Sequence, residues 1–289
     1  MSAMKARAID IVFNLYTPAE VAIRGASVGR SFLSKVRVSD QLQQGISVEE
    51  TLEIMDEAGV ELALLPAVKA GDPRLRDSWV IPYERIARVC EQYPDRFRGL
   101  AGVDPTLGMA GLRELERGVR EYGFVGAHLY PHWFELAPDH ARYYPIYAKC
   151  CELDVPIMMQ VGHCLSYGGP RTFPSVGRPI TLDRVACDFP ELKLIGIHIG
   201  YPWTEEMISV AYKHPNVYIG CDAYAPKHWP SELCRFIDSW GQDKVLFGTD
   251  FPVMDPRRAL REIDDLGFRP ESKRKLLELN ARQLFRLEG

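Results

Sequence analysis

The chain predicts an α/β fold, a single (β/α)8 barrel with extended βα loops, on the strength of three observations. Short apolar runs, too short for helices and bounded by Gly or Pro, recur eight times and alternate with stretches of helical period. The length of 289 residues suits one such barrel, which typically needs about 250. Polar side chains close the apolar runs, and the C-terminal strand ends are where these barrels carry their chemistry. No linker divides the chain, so one domain, 1–289, is expected.

Taken in order, the first strand covers residues 8–13. The stretch 14–45 follows, irregular, carrying Arg24, Arg30, Lys35 and Arg37, and long enough to be an active-site lid with freedom at Gly25 and Gly29. Ser47-Val48-Glu49-Glu50 forms a capping box that opens a helix running to Ala58 and stopping at Gly59. Strand two is 62–65, and a helix over 81–93 ends before Pro94. Strand three, 97–103, closes on Asp104-Pro105, and Leu112, Leu115 and Val119 mark a helix that Gly123 terminates. Strand four is 124–130, followed by Pro131 and a helix over 144–153. Strand five, 156–161, leads to a short helix at 182–187, and strand six, 192–197, ends at His198. A helix over 205–213, strand seven at 217–220, a helix over 231–240 and strand eight at 245–249 complete the barrel. The tail is helical over 257–266 and 271–286.

Bulk properties exclude several classes. A net charge of −4 offers no basic face for nucleic acid. No apolar run reaches the length of a membrane span and the first residues lack a signal-peptide core, so the expected location is the cytoplasm. The seven cysteines show no C-x-x-C spacing and read as buried thiols, Cys164 alone standing near a strand end as a nucleophile would. The expected partner is a small-molecule substrate, and self-association into a homo-oligomer is left open.

Asn14, Asp104, His128, Gln160, His198, Asp222 and Asp250 all close strands and are expected to converge on one mouth. Asp250 follows the apolar run Val245-Leu246-Phe247 and Gly248-Thr249, and precedes Pro252. The plainer reading of Asp250 is a helix N-cap. Four of the seven histidines, His128, His132, His163 and His198, lie at or just past strands four to six. Imidazoles and a carboxylate facing one cavity can bind Zn²⁺ or act as an acid/base pair, and a core histidine bonded to a carbonyl is the alternative for each. Gly196 and Gly200 place His198 in a tight turn. Arg171 and Arg178 could hold a substrate carboxylate, and Tyr130, Trp133, Tyr167 and Trp203 could wall a flat substrate.

The combination of Ile9-Asp10-Ile11, Tyr143-Tyr144-Pro145-Ile146-Tyr147, Val155-Pro156-Ile157-Met158 and His198-Ile199-Gly200-Tyr201-Pro202-Trp203 resembles the amidohydrolase-related family. His214-Pro215-Asn216-Val217-Tyr218, Gly248-Thr249-Asp250-Phe251-Pro252 and Asn280-Ala281-Arg282 extend the resemblance over nearly the whole chain. The branch is that of metal-dependent hydrolases and aromatic-acid decarboxylases. The family holds its metal with a His-x-His on the first strand, His on the fifth, often His on the sixth and Asp on the eighth. Here Val12 and Asn14 replace the pair and Gln160 replaces the fifth-strand His, so only His198 and Asp250 match.

Three readings follow from that departure: a displaced divalent metal, zinc first, held by His198 and Asp250 with His128 or His163; a metal-free acid/base pair; or a degenerate binding or partner subunit. The resemblance implies a hydrolase of a small carboxylate or aromatic-derived compound, cleaving a carbon–carbon, ester, lactone or thioester bond. Asp250 would be the general base, His198 with His128 would polarise the carbonyl, Gln160 would complete the catalytic set, and Asn14, His163, Arg171, Trp203 and Tyr130 would contact substrate. The alternative is a decarboxylase in which Asp250 protonates carbon.

Overall fold

The computed structural model describes residues 7–24, 30–71, 78–164 and 173–288, the side chains of Arg30 and Ser31 excepted. Eight parallel strands run in sequence order around a barrel: β1 (Ala8–Asp10), β2 (Val60–Ala67), β3 (Phe97–Gly102), β4 (Gly126–Leu129), β5 (Ile157–Gln160), β6 (Leu194–Ile197), β7 (Val217–Cys221) and β8 (Val245–Phe247). Neighbouring strands pair in parallel from β1 to β8. The seam between β8 and β1 is closed by the Ile11 amide donating to Phe247 O at 3.0 Å and the Asp250 amide to Val12 O at 2.8 Å.

Alternation along the strands divides the core in two. Ile9, Ile11, Leu62, Leu64, Leu100, Met158, Ile195, Ile197 and Leu246 fill the barrel interior, while their alternate neighbours pack outward against the helices. The C-terminal helix Asn280–Phe285 joins the interior cluster through Ala281, Leu284 and Phe285, so it plugs the end where the strands begin. Its Asn280 Nδ2 donates to Gln242 O (2.8 Å) and Val245 O (2.7 Å) at the start of β8. The opposite end, where the strands finish, is left for a site.

The helix Val48–Ala58 carries the expected capping box, with the Glu50 amide donating to Ser47 Oγ and the Ser47 amide to Glu50 Oε2, and Gly59 ends it at φ +89°. The stretch expected to be irregular, 14–45, instead holds the short helices Pro18–Arg24, Arg30–Lys35 and Asp40–Gln43. Each is too short to show a periodic stripe, and each depends on local bonds such as the Thr17 amide donating to Glu20 Oε2 (3.2 Å). Gly25 and Gly29 lie outside the described residues. Strand β4 starts two residues later than expected: the Phe124 amide donates to Gly118 O of the preceding helix at 3.0 Å, and its ring packs on Tyr83 at 5.2 Å. A small antiparallel pair, Lys69–Ala70 with Trp79–Val80, follows β2 and was not expected.

Candidate active site

A cavity of about 430 Å³ opens at the C-terminal ends of the strands. Asn14, Gln160, His198 and Asp250 reach it from strand ends, with His163 and Cys164 just beyond β5. Tyr16 and Arg24 enter from the segment after β1, and Trp79, Tyr130, Trp133 and Tyr224 supply aromatic wall.

A chain of polar contacts crosses this floor. The Arg24 guanidinium donates to Asn14 Oδ1 at 3.0 Å, and Asn14 Nδ2 donates to Asp250 Oδ1 and to Phe251 O, both at 2.9 Å. On its other side Asp250 Oδ2 lies 3.7 Å from His198 Nε2, which is 3.2 Å from Asp222 Oδ2. Asp222, fully buried after β7, also accepts the His198 amide through Oδ1 at 2.7 Å. Within this set of contacts His198 (φ +65°) and Asp250 (φ +53°) hold positive φ, as does Ile199 (+49°) next to His198. Backbone held in that region by a non-Gly residue costs about 1–3 kcal/mol and gathers at working sites. Beneath them Asp10 stitches β1 to the end of β8, accepting from the Thr249 amide (3.0 Å), Thr249 Oγ1 (2.6 Å) and the Val12 amide (3.2 Å).

Burial pushes the Asp250 carboxyl up to about 7 and Asp222 adds to the push, while His198, Asn14 and Arg24 oppose it. For His198 burial alone would act downward, but the Asp222 and then the Asp250 carboxylates outweigh it and the imidazole is raised. The pair therefore joins a carboxyl whose protonated form is favoured by burial to an imidazole whose charged form is favoured by the neighbouring carboxylates. Burial also raises Asp10, to about 8.

Other expected residues stand elsewhere. His128 points into the barrel, 1% exposed, and is not part of the cavity wall. Burial, then His198, lowers it to about 3, so it is a neutral ring, with neither nitrogen in a hydrogen bond and Tyr130 against it at 4.5 Å. His163 Nδ1 is 3.0 Å from Ser175 Oγ. Trp203 is not on the cavity wall: it packs on His163 at 5.0 Å and carries Arg178 over its ring at 5.2 Å. Arg178 is paired with Glu206 at 3.1 Å rather than with the cavity. Asp104 turns back to accept from the Thr106 amide and Oγ1, both at 2.7 Å, and so leaves the expected convergence. Arg171 and Tyr167 lie outside the described residues.

Tyr16 and Trp79 were missed, and Arg24 was read only as one charge of a lid. Its helix is fastened to the barrel by buried Glu20, which pairs with Arg85 of the helix Tyr83–Gln92, and Arg85 reaches Thr17 Oγ1 at 3.2 Å. Arg24 is thereby held 5% exposed between the rings of Tyr16 and Trp79, 4.8 and 5.0 Å from their centroids. The available signal was the run of basic residues in a stretch next to β1.

The donors do not fit the metal site of this fold. Val12 has no ligand atom, Asn14 Oδ1 is occupied by a guanidinium, and Asp250 Oδ1 by the Asn14 amide. The displaced set of His198, Asp250, His128 and His163 is not gathered either. Among the described residues only Asp183, Cys187 and His214 bring three candidate ligand atoms within 4.8 Å of one another, and Asp183 there pairs with Lys213.

Comparison with known proteins places this geometry in context. The Amidohydrolase family profile matches residues 81–287. The chain is 27% identical to the 2-keto-4-carboxy-3-hexenedioate hydratase of Sphingobium sp. strain SYK-6, over 85% of this chain and 84% of that protein. It is 25% identical to the gamma-resorcylate decarboxylase of Polaromonas sp. strain JS666, over 83% of this chain and 87% of that one. The fold is shared with a dihydroxybenzoic acid decarboxylase from Polaromonas sp. JS666, solved with manganese and the inhibitor 2-nitroresorcinol (TM-score 0.71, 22% identity, 98% and 97% coverage). The ion in that protein is manganese, not the zinc expected from sequence. A hydration and decarboxylations, none of them hydrolyses, favour the runner-up activity over the hydrolase first expected. The chain belongs to the Amidohydrolase family.

Proposed function

We propose that the protein is a lyase acting on a small, flat carboxylated compound, with decarboxylation as the reaction. The observation that carries this reading is Asp250, a mostly buried carboxyl raised to about 7 on the wall of an aromatic-lined cavity. A carboxyl still protonated near neutrality is suited to give a proton to carbon, and poorly suited to the base role expected in a hydrolase. Asn14 and His198 flank its two oxygens, so the carboxylate left behind is stabilised from both sides. His198 in turn is positioned by Asp222, which holds both its backbone amide and its ring.

In the step, Asp250 protonates the carbon that bears the carboxylate. The bond from that carbon to the carboxylate then breaks, its electron pair returning to the ring or alkene as CO₂ leaves. Water restores the proton to Asp250, and the hydroxide left combines with CO₂ as bicarbonate. The gamma-resorcylate decarboxylase relative supports this chemistry, and the hydratase relative shares the need for proton transfer at carbon. The cavity wall supports an anionic substrate, since Arg24, Lys35, Arg37, Lys227 and Arg258 line it and Asp250 is its one carboxylate among the described residues.

The test is incubation with a panel of hydroxylated aromatic and unsaturated acids, followed by product identification and CO₂ detection. Because the protonated form is the active one, kcat should fall as pH rises above about 7, to about a tenth one unit higher. A rate that rises through the same window, with a hydrolysed product, would return Asp250 to the role of base and reject the reading. Asp250→Asn should lower kcat by about 10²–10⁴-fold.

A further inference from the structure

We propose that the Arg24 guanidinium takes the place of the metal ion of this fold, as the fixed cation that seats the substrate carboxylate in a metal-independent site. The inference rests on the lyase reading for the identity of its ligand. The residues that would ligate a metal have been rebuilt into a hydrogen-bonded chain that ends on this guanidinium. Asn14 turns its oxygen to Arg24 (3.0 Å) and its amide nitrogen to Asp250 (2.9 Å), so both atoms that would face an ion face each other's partners instead. Valine at position 12 removes the other first-strand donor.

Arg24 itself is a buried cation whose hydrogen-bond partners, the Asn14 oxygen and Tyr16, are neutral groups. It is 5% exposed, Nε has no hydrogen-bond partner, and among the described residues no carboxylate comes within ion-pair distance of it. The Tyr16 and Trp79 rings lie 4.8 and 5.0 Å from the guanidinium carbon, and Tyr16 also bonds to the group, so its position on the cavity wall is fixed. A buried charge without a counter-ion is costly, and a planar carboxylate offers the two-oxygen match that a guanidinium edge takes best. Arg24 lines the same cavity as Asp250, and Asn14 links the two. A carboxylate seated on Arg24 would thus be offered on the wall that carries the proton donor.

The experiment reads binding without turnover. Chelator-treated protein, its metal content measured by elemental analysis, is titrated by calorimetry with benzoate and 2,6-dihydroxybenzoate, and with benzamide as the uncharged counterpart. The expected result is that the metal-free wild type binds the carboxylates. Arg24→Met should weaken them about 10- to 100-fold, the loss of hydrogen bonds to a charged group, and change benzamide less than about 3-fold. Arg24→Lys, which keeps the charge in the event that the methionine variant does not fold, should recover part of the carboxylate affinity but not the bidentate geometry. The proposal is overturned if metal-free wild type binds no carboxylate, if binding returns only with added manganese, or if carboxylate and amide lose affinity equally in Arg24→Met. Chelator-proof, Arg24-dependent binding without any product would reject the lyase reading and leave this inference intact. Turnover that requires manganese would do the reverse.

Discussion

Asp250 illustrates how a single backbone setting and a single proton are coupled. Its amide is committed to Val12 O, its φ is positive, and its carboxyl is pinned by Asn14 on one side and His198 on the other. Asp and Asn tolerate left-handed backbone better than most residues, so Asp250→Asn keeps the turn and an acceptor for Asn14 while removing the titration. The sign of the linkage is then fixed. The folded carboxyl holds its proton up to about 7 whereas the unfolded one releases it near 3.8, so the wild type loses stability as pH rises between those values. The melting temperature of Asp250→Asn relative to wild type should therefore climb from pH 4 to pH 7 and level off above. A pH-independent difference between the two would show that the group is not raised by burial.

At the scale of elements, close approach of backbones decides where the mouth lies. Gly102 ends β3 against β2, and a Cβ there would overlap the Ala67 carbonyl oxygen and stand 2.8 Å from the Lys69 amide nitrogen. The Gly102 carbonyl also accepts from Tyr83 Oη at 2.6 Å, which locks the helix Tyr83–Gln92 to the sheet. Neither obstacle is the flexible end of a side chain, so relief requires the strands to part. Gly102→Ala is expected to destabilise by about 1–3 kcal/mol or more, measured by urea denaturation. Because that helix carries Arg85, which anchors the Arg24 helix, carboxylate affinity should fall with it. An unchanged midpoint would mean the two strands are not held this closely.

Over the whole molecule, charge is unevenly placed. The chain is net −4, yet among the described residues its cavity wall gathers five cations against one carboxylate. Some of these are already committed, as Arg258 and Lys227 are to Glu262 at 2.7 and 4.0 Å. The remaining field attracts anions and is screened over about 10 Å at 0.1 M salt. KM for an anionic substrate should rise with added NaCl while kcat stays level, and a dianion should show the steeper slope. A KM insensitive to salt would remove electrostatic capture from the account.

Much of this protein could be read from local pattern alone. The alternation of apolar runs and helical stretches predicts eight strands, because burial on both faces demands it. The capping box at Ser47 and the stop at Gly59 are chemical signals contained in a few residues. Strand-end position brought Asn14, Gln160, His198 and Asp250 to notice, and all four line the cavity. What pattern could not decide is which way a side chain turns once the barrel closes. His128 ends a strand as His198 does, but alternation along β4 sends it into the interior. Trp203 and Arg178 are neighbours of the site that satisfy each other and Glu206 instead. Arg24, on a helix after β1 and not at a strand end, reaches the centre of the site because Glu20 and Arg85 clamp that helix over the mouth. Those outcomes depend on contacts between segments far apart in the chain, and only the folded barrel determines them.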